Sequence, residues 1–570
     1  MKSEAPSSSQ RDKAGLAWLL LAVISALPWL IAPAGQPWPG FHRDWLQAVV
    51  WLVVGGVVTL SVQGRWTLTP AAVTLTCMSA LPLLQASAGV FADAHDAILP
   101  TLILASLALA ITIAGQAQRT FPLRLADSLF SGILIASAVS AGLAVLQWLR
   151  VDLFGPLIVA GLRDGRGTAN VGQPNLLATL LLWGLVGAAW GYWRGQFGRP
   201  VFVLLSATLL IGIVLTQSRS GAIGVLVLAL FVGLAKRRAE LALPVASLAV
   251  LGLFFVLLVA AWPALNAGLN LEGARALSDV GSGGKRPAIW SAISEAIARA
   301  PWVGYGWNQG IAAHLAVADG LPPLHVIVSN AHNIFLDLLV WNGVPIGTLL
   351  TLGMVVWYCR RIRFANDAPR WLLMAALSVF GVHASLELPH MLLVFLIPFA
   401  LMVGTLEVLE GAKTRWTPSR TVVGLICTGL FVICAQIIVE RQRLVDDLLA
   451  HRMIRARIGS LAIPPAPLVF LVGSMHRSLV AQRMEPRPNM PEEELHALDK
   501  GALRFAAAGA LFNAAQAAAL NNQPAKAKLR LVQLCSVHSI ASCASARDAW
   551  VEIAASTHGA ALRAVPFPVP

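Results

Sequence analysis

"ILPTLILASLALAITIAG", residues 98–115, runs for eighteen positions without a charged side chain. A hydrocarbon core about 30 Å thick takes roughly 20 apolar residues of helix to cross. The stretch therefore reads as a membrane span, and it decides the solvent in which the chain folds. Composition agrees, with 57% of residues hydrophobic and 12% charged, against about 25% charged in a soluble domain. Working outward, thirteen such windows fall near 16–33, 46–62, 68–86, 98–115, 125–148, 174–193, 200–217, 221–235, 243–262, 333–358, 371–386, 390–407 and 420–440. They lack the period-two alternation of barrel strands. The expected fold class is an all-α polytopic membrane protein embedded in a lipid bilayer.

Orientation follows from Lys and Arg, because positively charged loops stay in the cytoplasm. With the N-terminus inside, inner segments before residue 441 carry eighteen of these residues and outer segments nine. The net charge of +14 is then mostly topology, and no nucleic-acid partner is read from it. Residues 1–15 form a cytoplasmic tail, too polar, and followed by too long an apolar run, for a cleaved signal peptide. Residues 16–440 form the transmembrane domain, and an odd number of spans puts 441–570 outside. Residues 263–332 form one external loop, far longer than the 2–8 residues that usually join bundle helices. Its text "RPAIWSAISEAIARAPWVGYGW" is helical, so order is expected. Residues 441–570 are Ala-rich and read as a small helical domain. Cys535 and Cys543 lie there, where an oxidising compartment permits a disulfide. No Cys/His cluster has zinc spacing and no Walker or dinucleotide glycine motif occurs, so no metal and no cofactor is expected.

The informative residues are polar ones at the outer boundary. "GTANVGQPNLLATLLLWG" puts Gln173 just ahead of a span, with Pro174 suited to a first helical turn and Asn175 following. The motif by itself is equally a plain helix start. "LTQSRSGAIG" holds Arg219 in a short turn near membrane depth, where an arginine is costly and normally has a partner or substrate. Arg286 follows a glycine pair in "GGKRPAIW". His332 in "SNAHNIFLDLL" precedes a span, and an imidazole ordinarily titrates near neutral pH. Two arginines offer forked donors suited to phosphate oxygens, and a histidine can accept a proton from an attacking hydroxyl. In a large membrane body, a phosphate-bearing substrate is a lipid. Together these residues suit transfer of a group from a lipid phosphate to an alcohol.

At this point the chain resembles a superfamily: the bacterial O-antigen ligases, O-antigen polymerases and protein O-oligosaccharyltransferases. The resemblance covers about residues 16–440 and is carried by "GQPNLLA" (172–178), "TQSRSG" (216–221), "KRPAIW" (285–290), "PWVGYGWNQ" (301–309) and "AHNIFLDLLVWNGVPIG" (331–347). "GQPN" and "HASLELPH" (383–390) look most like the protein-glycosylating branch, the pilin glycosylation ligases. The resemblance implies a GT-C-like helix bundle in the bacterial inner membrane that moves a preassembled glycan from undecaprenyl diphosphate to Ser or Thr of periplasmic proteins. It implies His332 as the essential loop histidine, Arg219 and Arg286 as diphosphate-contacting arginines, and Gln173 as the functional glutamine of the branch. Asn175, His383 and Glu387 are expected to orient donor or acceptor. Many relatives carry a tyrosine after the late-motif glutamate, where this chain has Leu388.

The expected mechanism has the arginines stabilising charge on the diphosphate as the glycosidic bond breaks, while His332 deprotonates the acceptor hydroxyl. Attack from the opposite face inverts the anomeric centre. Neither ATP nor a metal is needed, because the leaving group is already activated. An O-antigen ligase acting on lipid A-core, or a polymerase, shares this donor chemistry and differs in acceptor. The 441–570 domain favours a protein acceptor, as a place to dock one. A polysaccharide transporter or flippase is the alternative of another class, and no internal repeat of the kind transporters show is visible.

Overall fold

The computed structural model describes residues 8–32, 40–62, 65–151, 155–157, 159, 165–269, 271, 284–458, 465–556 and 559–568. The N-terminal tail before residue 8 and most of the stretch 270–283 in the long loop lie outside the described residues. Helices dominate, and among the described residues the only bridge of β type is an isolated pair, Arg65 with Ser419. Among the described residues, eight helices are long and apolar enough to cross a membrane, running from Phe41–Ser61 to Arg420–Ile454. Shorter apolar helices include Ala17–Leu30, Arg219–Ala235 and Leu393–Leu409. The chain is thus a multi-pass helical membrane protein, but thirteen full-length spans are not what it shows.

The clearest departure is the window at 68–86, which is two short helices, Pro70–Met78 and Leu81–Ser87. Pro82 sits in the first turn of the second helix, where its ring is tolerated only because no preceding turn exists to be disrupted. The window at 371–386 is the 17-residue helix Ala368–Ala384. The division drawn at 441 falls inside a continuous helix, Arg420–Arg455.

The chain divides into two compact units whose segments alternate along the sequence. Residues 1–78, 103–282 and 355–434 make the first, and 79–102, 283–354 and 435–570 the second. In the first unit the helix Pro174–Trp193 is central, with 78% of its apolar window buried against 17% for Val245–Gly268. Lipid tails are as apolar as leucine, so small residues and close packing drive such association. Gly212 packs against Leu181 and Ala141, where an added Cβ would come within 2.9 and 3.1 Å. The Trp183 ring is enclosed by Trp29, Phe380 and Phe395. Its indole donates to the Ala376 carbonyl at 2.9 Å, which meets the requirement that a buried N–H find a partner.

In the second unit the part of the long loop from residue 284 onward is ordered and docked. Leu315, from the helix Gly310–Val317, joins the core of alanines and leucines made by Glu492–Phe505, Ala508–Leu520 and Pro524–Val537. Gln533 Nε2 donates to the Leu315 carbonyl at 3.0 Å, and the His325 amide donates to the Ser536 carbonyl at 2.8 Å. Cys535 and Cys543 form a disulfide that ties Pro524–Val537 to Ile540–Ala555.

The helix Ile334–Phe364 is broken at Gly343 (φ 75°, ψ 168°). A break frees buried backbone groups that must be satisfied, and here the "PWVGYGW" segment supplies the partners. Tyr305 N and Gly306 N donate to the Val340 and Trp341 carbonyls at 2.9 and 3.0 Å, while Val344 N donates to the Pro301 carbonyl at 2.7 Å. Gln85 bridges the two sides, donating to Trp341 O and Asn342 Oδ1 and accepting from Trp307 N. Backbone meets backbone at the glycines: a Cβ on Gly304 would lie 2.6 Å from Gly343 N, and one on Gly343 would collide with the Trp302 carbonyl.

Gly343→Ala therefore meets both a collision and a positive φ, and is expected to destabilise the protein by about 1–3 kcal/mol. Gly353→Ala, in the same helix with open space around the position, is expected to be neutral or slightly stabilising. Thermal denaturation in detergent compares the two, and equal midpoints would contradict the account of the break.

Candidate active site

The first unit gathers a part-buried polar cluster at the start of Pro174–Trp193. Pro174 opens this helix and Gln173 precedes it in extended conformation without capping it. Asn175 is the hub. Its Oδ1 accepts from Arg166 Nη2 at 2.7 Å and from Ser218 Oγ at 2.9 Å, and its Nδ2 donates to Glu387 Oε1 at 2.5 Å. Two donors on one side and a carboxylate on the other leave the amide one satisfactory orientation.

Each partner anchors a different segment. Arg166 Nε also donates to the Thr216 carbonyl at 2.8 Å, at the end of the helix Arg199–Thr216. Ser218 caps the helix Arg219–Ala239, accepting from Gly221 N at 3.1 Å, and so sets the first turn in which half-buried Arg219 stands. Between these helices Gln217 takes a left-handed conformation (φ 45°) and donates to the Gly165 carbonyl at 2.9 Å. Glu387 is 2% exposed and His383 1% exposed, and His383 Nδ1 pairs with Thr179 Oγ1 one helical turn beyond Asn175. Leu388 follows Glu387 and precedes a single 3-10 turn, Pro389–Met391. Gln173, Asn175, Arg219, His383 and Glu387 are thus all residues of this unit.

Arg286 and His332 belong to the second unit. Half-buried His332 has a left-handed backbone (φ 52°), a sparsely populated conformation for a residue with a side chain. The surrounding turn over-determines it. Asn330 Oδ1 accepts from His332 N at 3.1 Å, Asp337 Oδ1 accepts from Ala331 N at 2.8 Å, and Asn333 caps the following helix through Phe335 N and Leu336 N. Trp290 Nε1 donates to the Ala331 carbonyl at 2.9 Å. Arg286 is the first residue of the helix Arg286–Arg299 and lies four residues before Trp290, hence on the same helix face. The "KRPAIW" spacing thus puts Arg286 one turn from the tryptophan that holds the residue before His332.

Arg166, Ser218, Thr179 and Asp337 do not stand out in sequence reasoning. Arg166 reads as one more loop arginine. Its signal is the glycine on either side, Gly165 and Gly167, since Gly167 packs its Cα against Ala144 and Leu215.

The family model described as O-antigen ligase matches residues 203–352, and the one described as protein glycosylation ligase matches residues 169–190. The chain is 25% identical over 532 residues, 91% of its length and 92% of the relative's, to a protein of Acinetobacter baylyi named General O-oligosaccharyltransferase. It is 30% identical over 244 residues, 42% of its length and 44% of the relative's, to another from that organism named ComP-specific O-oligosaccharyltransferase. Fold and matches together define a polytopic membrane enzyme, a glycosyltransferase of the ligase type. The chain is thus similar to O-antigen ligases over residues 203–352, and to protein glycosylation ligases over residues 169–190 and in its two named relatives.

Two outcomes follow from the geometry. Asn175→Asp sets a second carboxylate against Glu387, and two carboxylates so close cannot both ionise freely. A loss of roughly 3 kcal/mol of stability and of transfer activity is expected, and Glu387→Gln in the same chain restores both by returning an amide donor to the pair. A double variant no better than Asn175→Asp would show that the pairing is unimportant.

His314 stands on the helix Gly310–Val317, and its Nδ1 accepts from Val328 N at 3.3 Å. Burial pushes its pKa down to about 4, so the neutral form is the one that folds. Its contribution is complete above the unfolded value near 6.5 and is lost as pH falls from there toward 4. Exchange of the Val328 amide hydrogen is expected to be slow at about pH 7 and fast at about pH 4 after correction for intrinsic rates. Protection that does not change with pH would exclude this role.

Proposed function

We propose that the protein is a protein O-oligosaccharyltransferase that moves a preassembled glycan from undecaprenyl diphosphate to Ser or Thr of periplasmic proteins such as pilin. The observation that carries this reading is the coincidence of two independent features. The residues matched by the protein glycosylation ligase model, 169–190, include Asn175, the hub of the polar cluster, and Thr179, while its partners Arg166, Ser218, His383 and Glu387 come from outside that range. The proposed orientation has the N-terminus in the cytoplasm of a bacterial inner membrane and the reacting groups with the 441–570 domain in the periplasm, as the Lys and Arg distribution favours.

In the proposed reaction His332 accepts the proton of the acceptor hydroxyl. The oxygen attacks the anomeric carbon, the bond from that carbon to the diphosphate oxygen breaks, and undecaprenyl diphosphate leaves with the bonding electrons. The sugar is inverted. Arg219 and Arg286 each contact the diphosphate and stabilise its charge, with Gln173, Asn175, His383 and Glu387 as orienting groups. No cofactor is needed, since the diphosphate is itself a good leaving group.

The test is a host lacking its own ligase, supplied with a lipid-linked glycan and a panel of acceptors. Glycan on protein is expected, and glycan only on lipid A-core or in longer repeats would assign the chain to an O-antigen ligase or polymerase activity instead. His332→Ala is expected to lower transfer by about 10²–10⁴, and Arg219→Ala or Arg286→Ala by about 10²–10³. Full transfer by His332→Ala would remove the base assignment.

A further inference from the structure

The second unit contains a cavity of about 250 Å³ that the reaction chemistry does not use. It opens where residues 92–96, the helix Gly310–Val317 and the C-terminal helices Gly473–Arg483, Glu492–Phe505 and Pro524–Val537 meet. Its floor is aliphatic: Ala92, Ala312, Leu315, Ala316 and Leu503. Its two acids are already neutralised, Asp96 by Arg504 at 2.7 Å and Asp93 by Arg477.

What remains unspent in the wall is a set of donors. Gln309 is 7% exposed, and its Nε2 is buried with no hydrogen-bond partner among the described residues. A buried donor left unmade is expensive, so it calls for an acceptor from outside. Lys500 lines the same cavity, is exposed, and makes no ion pair among the described residues. A ligand that fits therefore brings carbonyl or carboxylate oxygens beside an aliphatic group. None of the lining residues is aromatic, so the cavity lacks the ring faces on which sugars commonly stack. At this volume it falls below the roughly 300–1,000 Å³ of sites that engulf a drug-sized ligand, and so holds an anchor and not an oligosaccharide.

We infer that this cavity is a docking subsite for the acceptor polypeptide, taking an aliphatic side chain on its floor and main-chain oxygens on Gln309 and Lys500. The inference rests on the proposed protein-glycosylating function and names where that acceptor is gripped. Its position supports the assignment. Gln309 immediately precedes the helix Gly310–Val317, and Gly310 packs directly on the Ser329 carbonyl. His314 of the same helix holds Val328, and Asn330 holds His332 N. One short helix thus joins the cavity to the turn that carries His332, all within one unit.

The test uses the full chain in lipid nanodiscs with a lipid-linked oligosaccharide and a purified acceptor protein, measuring KM for each substrate separately. Lys500→Glu and Ala316→Trp are expected to raise the acceptor KM about tenfold and leave the donor KM where it was. Lys500 is exposed, so its variant keeps the test valid where the tryptophan disturbs folding. A photoreactive group at position 500 is expected to crosslink the acceptor. A rise in donor KM instead would mark the cavity as a glycan site and overturn the inference. Wild-type acceptor KM in both variants with no crosslink would also overturn it while leaving protein glycosylation standing. Failure of the wild-type enzyme to glycosylate any protein would overturn the function and the subsite together.

Discussion

A helix interrupted among buried side chains must hand its freed backbone groups to something, and the break at Gly343 sets much of the second unit. Once Gly343 leaves helical geometry, the Val340 and Trp341 carbonyls need donors and Val344 N needs an acceptor. The segment 301–306 meets all three needs, and only glycine at 304 lets the backbones approach. Two stretches of sequence that look like separate motifs are one structural object. The intervening chain then has both ends held, which is why a long loop can present His332 in a defined and uncommon conformation.

The first unit answers a related problem with a side chain. Glu387 is a carboxylate almost wholly removed from water, and such a group is tolerable only when paired and hydrogen-bonded. Asn175 gives it an amide donor and is itself held by Arg166 and Ser218. The network ties the starts of two membrane helices to one turn, at the point where Arg219 enters. Buried polar groups of this kind specify arrangement more than they add stability.

Much of this was legible in the sequence, and the reasons for the rest are physical. The all-helical membrane class followed from uncharged runs such as 98–115, because hydropathy reports directly on the solvent. An oxidising compartment permitted the Cys535–Cys543 disulfide without establishing it, and the helical text of the long loop anticipated the order found from residue 284 onward. The break at Gly343 was not, since "WNGVPIG" is apolar enough to continue a span and the need for glycine lies in Trp302 and Gly304, some forty residues away. Nor was the alternation of the two units, which depends on pairs such as Arg504 with Asp96, 408 residues apart. Arg166 was invisible for the same reason: its role is defined by Asn175 and Thr216, and nothing in its own neighbourhood names them.

The central claim is transfer of a whole glycan in one step to a protein hydroxyl. Intact-mass spectrometry of an acceptor protein, sampled during reaction with the purified enzyme and a lipid-linked oligosaccharide of known mass, tests it most directly. The account predicts a single added species heavier by the complete glycan, its site a Ser or Thr, with no smaller adduct at early times. A ladder of single-sugar additions, or glycan recovered only on lipid, would contradict it.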